Sequence, residues 1–282
     1  MNKLCRFTQP NFKKEVAFLM KRHILGISFV LLVALVSLSF ISVAEAEEFH
    51  WGFKPSKNGE PVEIGEPLET LMHKYGAIYK GSPEKKIVYL TFDNGYENGY
   101  TESILNTLRE ENAPATFFLT GHYLTSATDL VKTMVKDGHI IGNHSYGHPN
   151  MARLSADEMK SEWKKFDDKL NELTGVKRTY YARPPEGIFN EEVLKVGNEA
   201  GYRHMFWSIA FKDWLKDERR GAQYAYDALM GQLHPGAIIL MHTVAQDNAE
   251  AIPQFIKDAK AQGYTFGSLD DLVLEHEKIS PY

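Results

Sequence analysis

Five short stretches of this sequence combine residue types that can carry acid–base or metal chemistry. Thr91-Phe92-Asp93-Asn94-Gly95 sets a carboxylate beside a glycine turn, just after an apolar run. At a strand end such an acid can face a pocket, and equally it can form an ordinary Asx turn. His144-Ser145-Tyr146-Gly147-His148 places two imidazoles four residues apart, able to converge on one divalent ion. Gly142, Gly147 and Pro149 put that pair in a turn, where histidines are often bystanders. In Arg183-Pro184-Pro185-Glu186-Gly187 the consecutive prolines stiffen the loop and fix where the Arg points. A guanidinium held that way could brace a carboxylate through two hydrogen bonds, or mark an exposed corner. Asp213-Trp214 and Leu240-Met241-His242 complete the set with an acid beside an aromatic and an imidazole ending an apolar run.

The elements that must position these residues alternate. The pattern predicts strands over 86–92, 115–119, 139–142, 180–182, 205–209, 237–241 and 264–266. Helices are expected over 101–111, 129–136, 155–173, 190–201, 221–233 and 249–261. Ser155 and Glu158 read as a capping box, Asn190 as a helix cap, and Gly138, Gly175 and Gly201 as helix stops. Strict alternation implies a parallel sheet covered by helices. About seven repeats are many for a small open sheet and slightly few for an eight-stranded barrel. Each chemical cluster follows a predicted strand, the end of a parallel sheet where active sites are built.

Taken in order, each in its own repeat, the five clusters resemble the polysaccharide deacetylases with the NodB homology domain, carbohydrate esterase family four. The resemblance spans about residues 86–270 and implies an α/β fold, an irregular (β/α)7-type barrel with parallel strands. It implies one divalent ion, zinc or cobalt-like, held by Asn94, His144 and His148. Asp93 becomes the base that deprotonates the attacking water, and His242 the acid that protonates the departing sugar amine. Arg183 orients Asp93 and keeps it ionised, while Asp213 raises the pKa of His242. A backbone N–H near Tyr146 helps the metal stabilise the oxyanion, and Trp214 and Leu240 line a slot for the acetyl methyl.

Two departures from the family pattern stand out. Asn94 replaces the usual second Asp, so metal affinity should fall while bound water becomes more acidic. Glu186 stands where Tyr is common, which alters the substrate-binding rim. Thr-Phe-Asp-Asn-Gly-Tyr-Glu narrows the resemblance to the spore-cortex delta-lactam-biosynthetic de-N-acetylases. That branch implies N-acetylmuramic acid in the peptidoglycan glycan strand as substrate, leading to muramic delta-lactam. Lys212, Arg203 and Lys216 are candidates to meet its lactyl carboxylate. The alternatives are the same chemistry on N-acetylglucosamine in peptidoglycan or chitin-like polymers, and an inactive glycan-binding wall protein.

Composition sets outer bounds. The 282 residues are 43 % hydrophobic and 24 % charged, with a formal net charge of −5. That acidic balance speaks against a nucleic-acid partner, and no protein partner is legible. The only cysteine is Cys5, so an intrachain disulfide and a thiolate centre are both excluded. Residues 1–46 read as an export address: a basic stretch including Lys21 and Arg22, an apolar run over 24–43, and Ala44-Glu45-Ala46. The run could be a cleaved signal or a membrane anchor; either directs the rest of the chain to the extracytoplasmic cell wall or spore cortex region. Residues 47–85 read as a loose arm with a short helix near Leu68–Tyr75, and 86–282 as the deacetylase domain.

Overall fold

The computed structural model describes residues 47–215 and 218–279, with isolated positions 18, 20 and 21. Apart from those three positions, the expected export address lies outside the described residues, as does Lys216. No described helix is long and apolar enough to cross a membrane.

The chain from Glu47 onward is one compact unit. Its elements run β1 (Phe49–His50), α1 (Leu68–Lys74), β2 (Ile87–Asn94), α2 (Thr101–Glu110), β3 (Ala115–Leu119), α3 (Gly121–Ser126) and α4 (Thr128–Lys136). Then come β4 (Ile140–Asn143), α5 (Ala156–Thr174), β5 (Tyr181–Ala182), β6 (Ile188–Phe189), α6 (Glu191–Glu199) and β7 (Arg203–His204). Finally there are α7 (Ala222–Gln232), β8 (Ile238–Met241), α8 (Gln246–Ala261), β9 (Thr265–Phe266) and α9 (Leu269–Ile279).

The main sheet has the order β7-β5-β4-β3-β2-β8, with β9 also pairing β2. Its strand pairings among the described residues are all parallel. Irregular chain continues the curl between its two edges: Met205 bridges Ile78, and Ile209 bridges Ile239. The expected (β/α)7-type barrel is therefore present, curled and with one ragged side.

Strand alternation divides the core into two layers. Val88, Leu90 and Phe92 of β2 pack outward with Ile104 and Leu108 of α2 and Ile252 and Phe255 of α8. Tyr89 of β2, Phe118 of β3, and Ile238 and Leu240 of β8 belong to the other cluster. Full burial of one such side chain contributes ~1.5–3 kcal/mol. The Ser155–Glu158 capping box opens α5 as expected, and Gly175 closes it in a left-handed conformation (φ 81°).

The arm over 47–85 is not loose. Val62, Met72, Ile78 and Tyr79 are buried in the second cluster, and Trp51 stacks on Phe206 with ring centroids 4.4 Å apart. Lacking periodicity, this segment gives no sign in sequence that its scattered apolar residues are core.

Candidate active site

Asp93 and Asn94 are the last residues of β2, paired with Phe118 and Leu119 of β3 rather than lying in a turn. On the other side, Thr91 pairs with Leu240 and Phe92 with Met241. One step further along these neighbouring strands stand Asp93 and His242. Asp93 Oδ1 accepts a hydrogen bond from Arg183 Nη1 at 2.7 Å, and both side chains are almost wholly buried. The guanidinium is fixed from several directions. Its Nε and Nη2 donate to the carbonyls of Met205 (2.9 Å) and Phe206 (3.3 Å), and it lies 4.1 Å from the Phe118 ring centroid. Burial pushes the Asp93 carboxyl up, but Arg183, His144 and His242 together outweigh it and hold it below the usual carboxylate range.

The histidine loop follows β4. Asn143 Oδ1 accepts the Ser145 N–H (3.0 Å), Glu162 the Gly147 N–H (2.6 Å) and Ser145 Oγ the His148 N–H (2.9 Å). The N–H of Tyr146 has no intramolecular partner among the described residues. Ser145 and His148 both have positive φ (63° and 57°), a conformation costing ~1–3 kcal/mol each and typical of functional loops. The two rings meet edge to face, centroids 4.9 Å apart. His144 Nε2 lies 3.6 Å from Asp93 Oδ2, while its Nδ1 lies 2.9 Å from the Arg183 carbonyl. A carbonyl only accepts, so Nδ1 carries the proton and Nε2 keeps a free lone pair. Burial drives the His144 pKa down to about 4, so the ring is neutral at pH 7. Tyr146 is partly exposed, its ring against Gly121, where a Cβ would come within 2.4 Å of it.

Across from this loop, His242 and Asp213 form a dyad. Asp213 Oδ1 accepts from His242 Nδ1 at 2.8 Å; Oδ2 accepts from the His242 backbone (2.8 Å) and from Asn248 Nδ2 (2.6 Å). Burial opposes the imidazolium, but the charge and hydrogen bond of Asp213 outweigh it and raise the His242 pKa. Trp214 is 49 % exposed, its ring 6.0 Å from that of His242. Leu240 is buried.

Asp93, Arg183, His144 and His148 thus form one linked set of contacts and His242, Asp213 and Trp214 a second, at the ends of the adjacent strands β2 and β8. Other expected residues sit apart from both. Glu186 is exposed, in a left-handed backbone conformation (φ 57°), and its side chain makes no hydrogen bond or ion pair among the described residues. Arg203 begins the two-residue β7 and pairs with Glu277 (3.3 Å). Lys212 pairs with Glu218 at 2.7 Å. Asn248, which holds Asp213, escapes sequence reading because nothing local marks it. So does Thr243, which accepts the Asn94 amide at 2.6 Å.

No group of three or more His, Cys, Asp or Glu side chains among the described residues is arranged as a metal centre. The donors nevertheless suit a divalent ion. His144 is neutral with Nε2 free, and Asn94 Oδ1 is a buried oxygen with no hydrogen-bond partner.

Comparison with known proteins agrees with this geometry. Residues 80–205 match the Polysaccharide deacetylase family. The chain is 53 % identical to an uncharacterised 30.6 kDa protein of Geobacillus stearothermophilus, over 88 % of this chain and 95 % of that one. It is 47 % identical to the peptidoglycan-N-acetylmuramic acid deacetylase PdaA of Bacillus subtilis, over 83 % of this chain and 89 % of that one. The solved structure of that protein, described as a family 4 carbohydrate esterase, superposes with a TM-score of 0.80, covering 82 % of this chain and 99 % of the other. A barrel of this type, with these residues at its strand ends and relatives this close, places the chain in the polysaccharide deacetylase family.

Proposed function

We propose that this chain hydrolyses the N-acetyl group of N-acetylmuramic acid in peptidoglycan, releasing acetate and a free sugar amine. The observation that carries this is the opposed tuning of two neighbouring groups: Asp93 is held as an anion by Arg183, and His242 is favoured as a cation by Asp213. Such a pair supplies a base and an acid together near neutral pH. Asp93 takes a proton from the attacking water, whose oxygen bonds the acetamide carbon. The Tyr146 N–H donates to the developing oxyanion. His242 gives its proton to the nitrogen as the C–N bond breaks, because an unprotonated amide anion is a very poor leaving group. Trp214 and Leu240 bound the acetyl methyl. A divalent ion held by His144, His148 and Asn94 would supply Lewis acidity at the carbonyl.

The muramic acid preference rests on the PdaA relative and on Asn94 within Thr-Phe-Asp-Asn-Gly. Once freed, the amine can attack the 3-O-lactyl carboxyl carbon of its own sugar, an intramolecular condensation that expels water and closes the delta-lactam of spore cortex. Lys212, next to Asp213 in the chain, is the described candidate for that carboxylate. The 24–43 segment takes the enzyme outside the cytoplasm as signal or anchor. The test is acetate release from peptide-free peptidoglycan strands and from chitin oligomers, with and without chelator. Release from muramic residues, lost on chelation and regained with metal, supports the reading. Release from N-acetylglucosamine alone overturns the substrate assignment, and chelator insensitivity overturns the metal.

A further inference from the structure

Behind the site, a line of hydrogen-bonded side chains runs from the partly buried Glu97 to Asn94. Glu97 Oε1 accepts the Gly99 N–H at 2.6 Å; Oε2 accepts from Thr101 Oγ1 (2.5 Å) and from the Tyr123 phenol (2.8 Å). Thr101 Oγ1 meets Thr243 Oγ1 at 2.7 Å, and Thr243 Oγ1 meets Asn94 Nδ2 at 2.6 Å. Asn94, Thr101 and Tyr123 are fully buried and Thr243 is 1 % exposed.

The protons in this line can be counted. A carboxylate only accepts, and a hydroxyl has one proton to give. Thr101 spends its proton on Glu97, so its oxygen accepts from Thr243 at 2.7 Å; the Tyr123 phenol also reaches that oxygen, at 3.2 Å. Thr243 has then committed its own proton, and its oxygen requires a donor from residue 94. An amide nitrogen supplies one; a carboxylate would set lone pair against lone pair. With its nitrogen turned to Thr243, the amide leaves Oδ1 pointing elsewhere, which is the buried acceptor without a partner.

We infer that Glu97, acting through Thr101 and Thr243, dictates that residue 94 be an amide and fixes which way its oxygen faces. Glu97 and Thr243 are then positioning residues. The value of that orientation to catalysis rests on the metal-ligand reading of Asn94, whereas the ordering of protons does not.

The test is a double-substitution cycle of melting temperatures on metal-free protein. Asn94→Asp alone is expected to lower the melting temperature by roughly 3–8 °C, from a buried polar group left unpaired. In the Glu97→Gln background the line can reverse, because the Gln amide donates to Thr101, and Asn94→Asp then costs less than half as much. Equal loss in both backgrounds, or no loss in either, overturns the inference. Zinc titration of the Thr243 variants adds a second readout. Thr243→Ser keeps wild-type affinity, and Thr243→Val, which frees the amide to turn, weakens it at least about tenfold. Unchanged affinity in Thr243→Val refutes the orientation claim. A wild-type protein that takes up no zinc defeats the metal reading instead, and the metal-free cycle still decides the ordering.

Discussion

Replacing Asp213 by Asn removes one charge and almost no volume, so it isolates the electrostatic support of His242. Asp213 accepts three hydrogen bonds, two of them from His242 itself. An Asn has one acceptor oxygen. If that oxygen keeps the backbone N–H and Asn248, its NH2 faces Nδ1 and favours the neutral ring. A hydrogen bond to a charged group contributes ~1.5–3 kcal/mol, and 1.4 kcal/mol is a factor of ten. The imidazolium-to-imidazole ratio should therefore fall roughly ten- to a hundredfold. His242 acts as an acid, so the rate is lost as pH rises through its pKa. That raised pKa drops in the variant, and the alkaline limb of the pH–rate profile moves to lower pH. The assay is acetate release from soluble glycan strands across pH, with melting temperature as a check on folding. A folded variant whose alkaline limb coincides with wild type, at a rate within about twofold, refutes the dyad.

Other substitutions probe other contacts. Arg183→Met leaves Asp93 buried without its countercharge and should cost ~3–5 kcal/mol, read from denaturant unfolding. Surviving activity should show an acid limb moved to higher pH, because burial then raises the Asp93 pKa unopposed by Arg183. Trp214→Ala, at an exposed position, should leave stability within ~0.5 kcal/mol while raising KM more than it lowers kcat. Gly121→Ala drives a methyl into the Tyr146 ring and should lower kcat/KM by displacing the loop that carries the free N–H; steady-state kinetics with a melting curve check it.

Much of this architecture is written locally. The 115–119 strand, the α5 capping box and the Asn190 cap form where side-chain pattern and cap chemistry predict them. The failures are instructive. Strand β2 runs on through Asp93 and Asn94, since both pair with β3 although their types suggest a turn. The expected strand over 205–209 is reduced to two isolated bridges, at Met205 and Ile209, with the short β7 just before it, and Arg183 draws off the carbonyls of Met205 and Phe206 that a ladder would use. Helix α9 is not among the expected helices, although Ser268 and Asp271 bond reciprocally at its start, a capping signal present in the sequence. Ion pairs such as Asp93–Arg183 could be expected only through the family resemblance, because their partners lie 90 residues apart. The Glu97–Thr101–Thr243–Asn94 line has no sequence signal, as its members lie in β2, the loop after it, the start of α2 and the loop after β8.

The central claim is that Asp93 and His242 act on one acetamide, as base and acid. It is tested most directly by single-turnover acetate release from peptide-free peptidoglycan strands, comparing wild type with Asp93→Asn and His242→Gln. The account predicts one free amine per acetate with wild type, and a fall of ~10²–10⁴-fold in each folded variant. Either variant releasing acetate at the wild-type rate would contradict it.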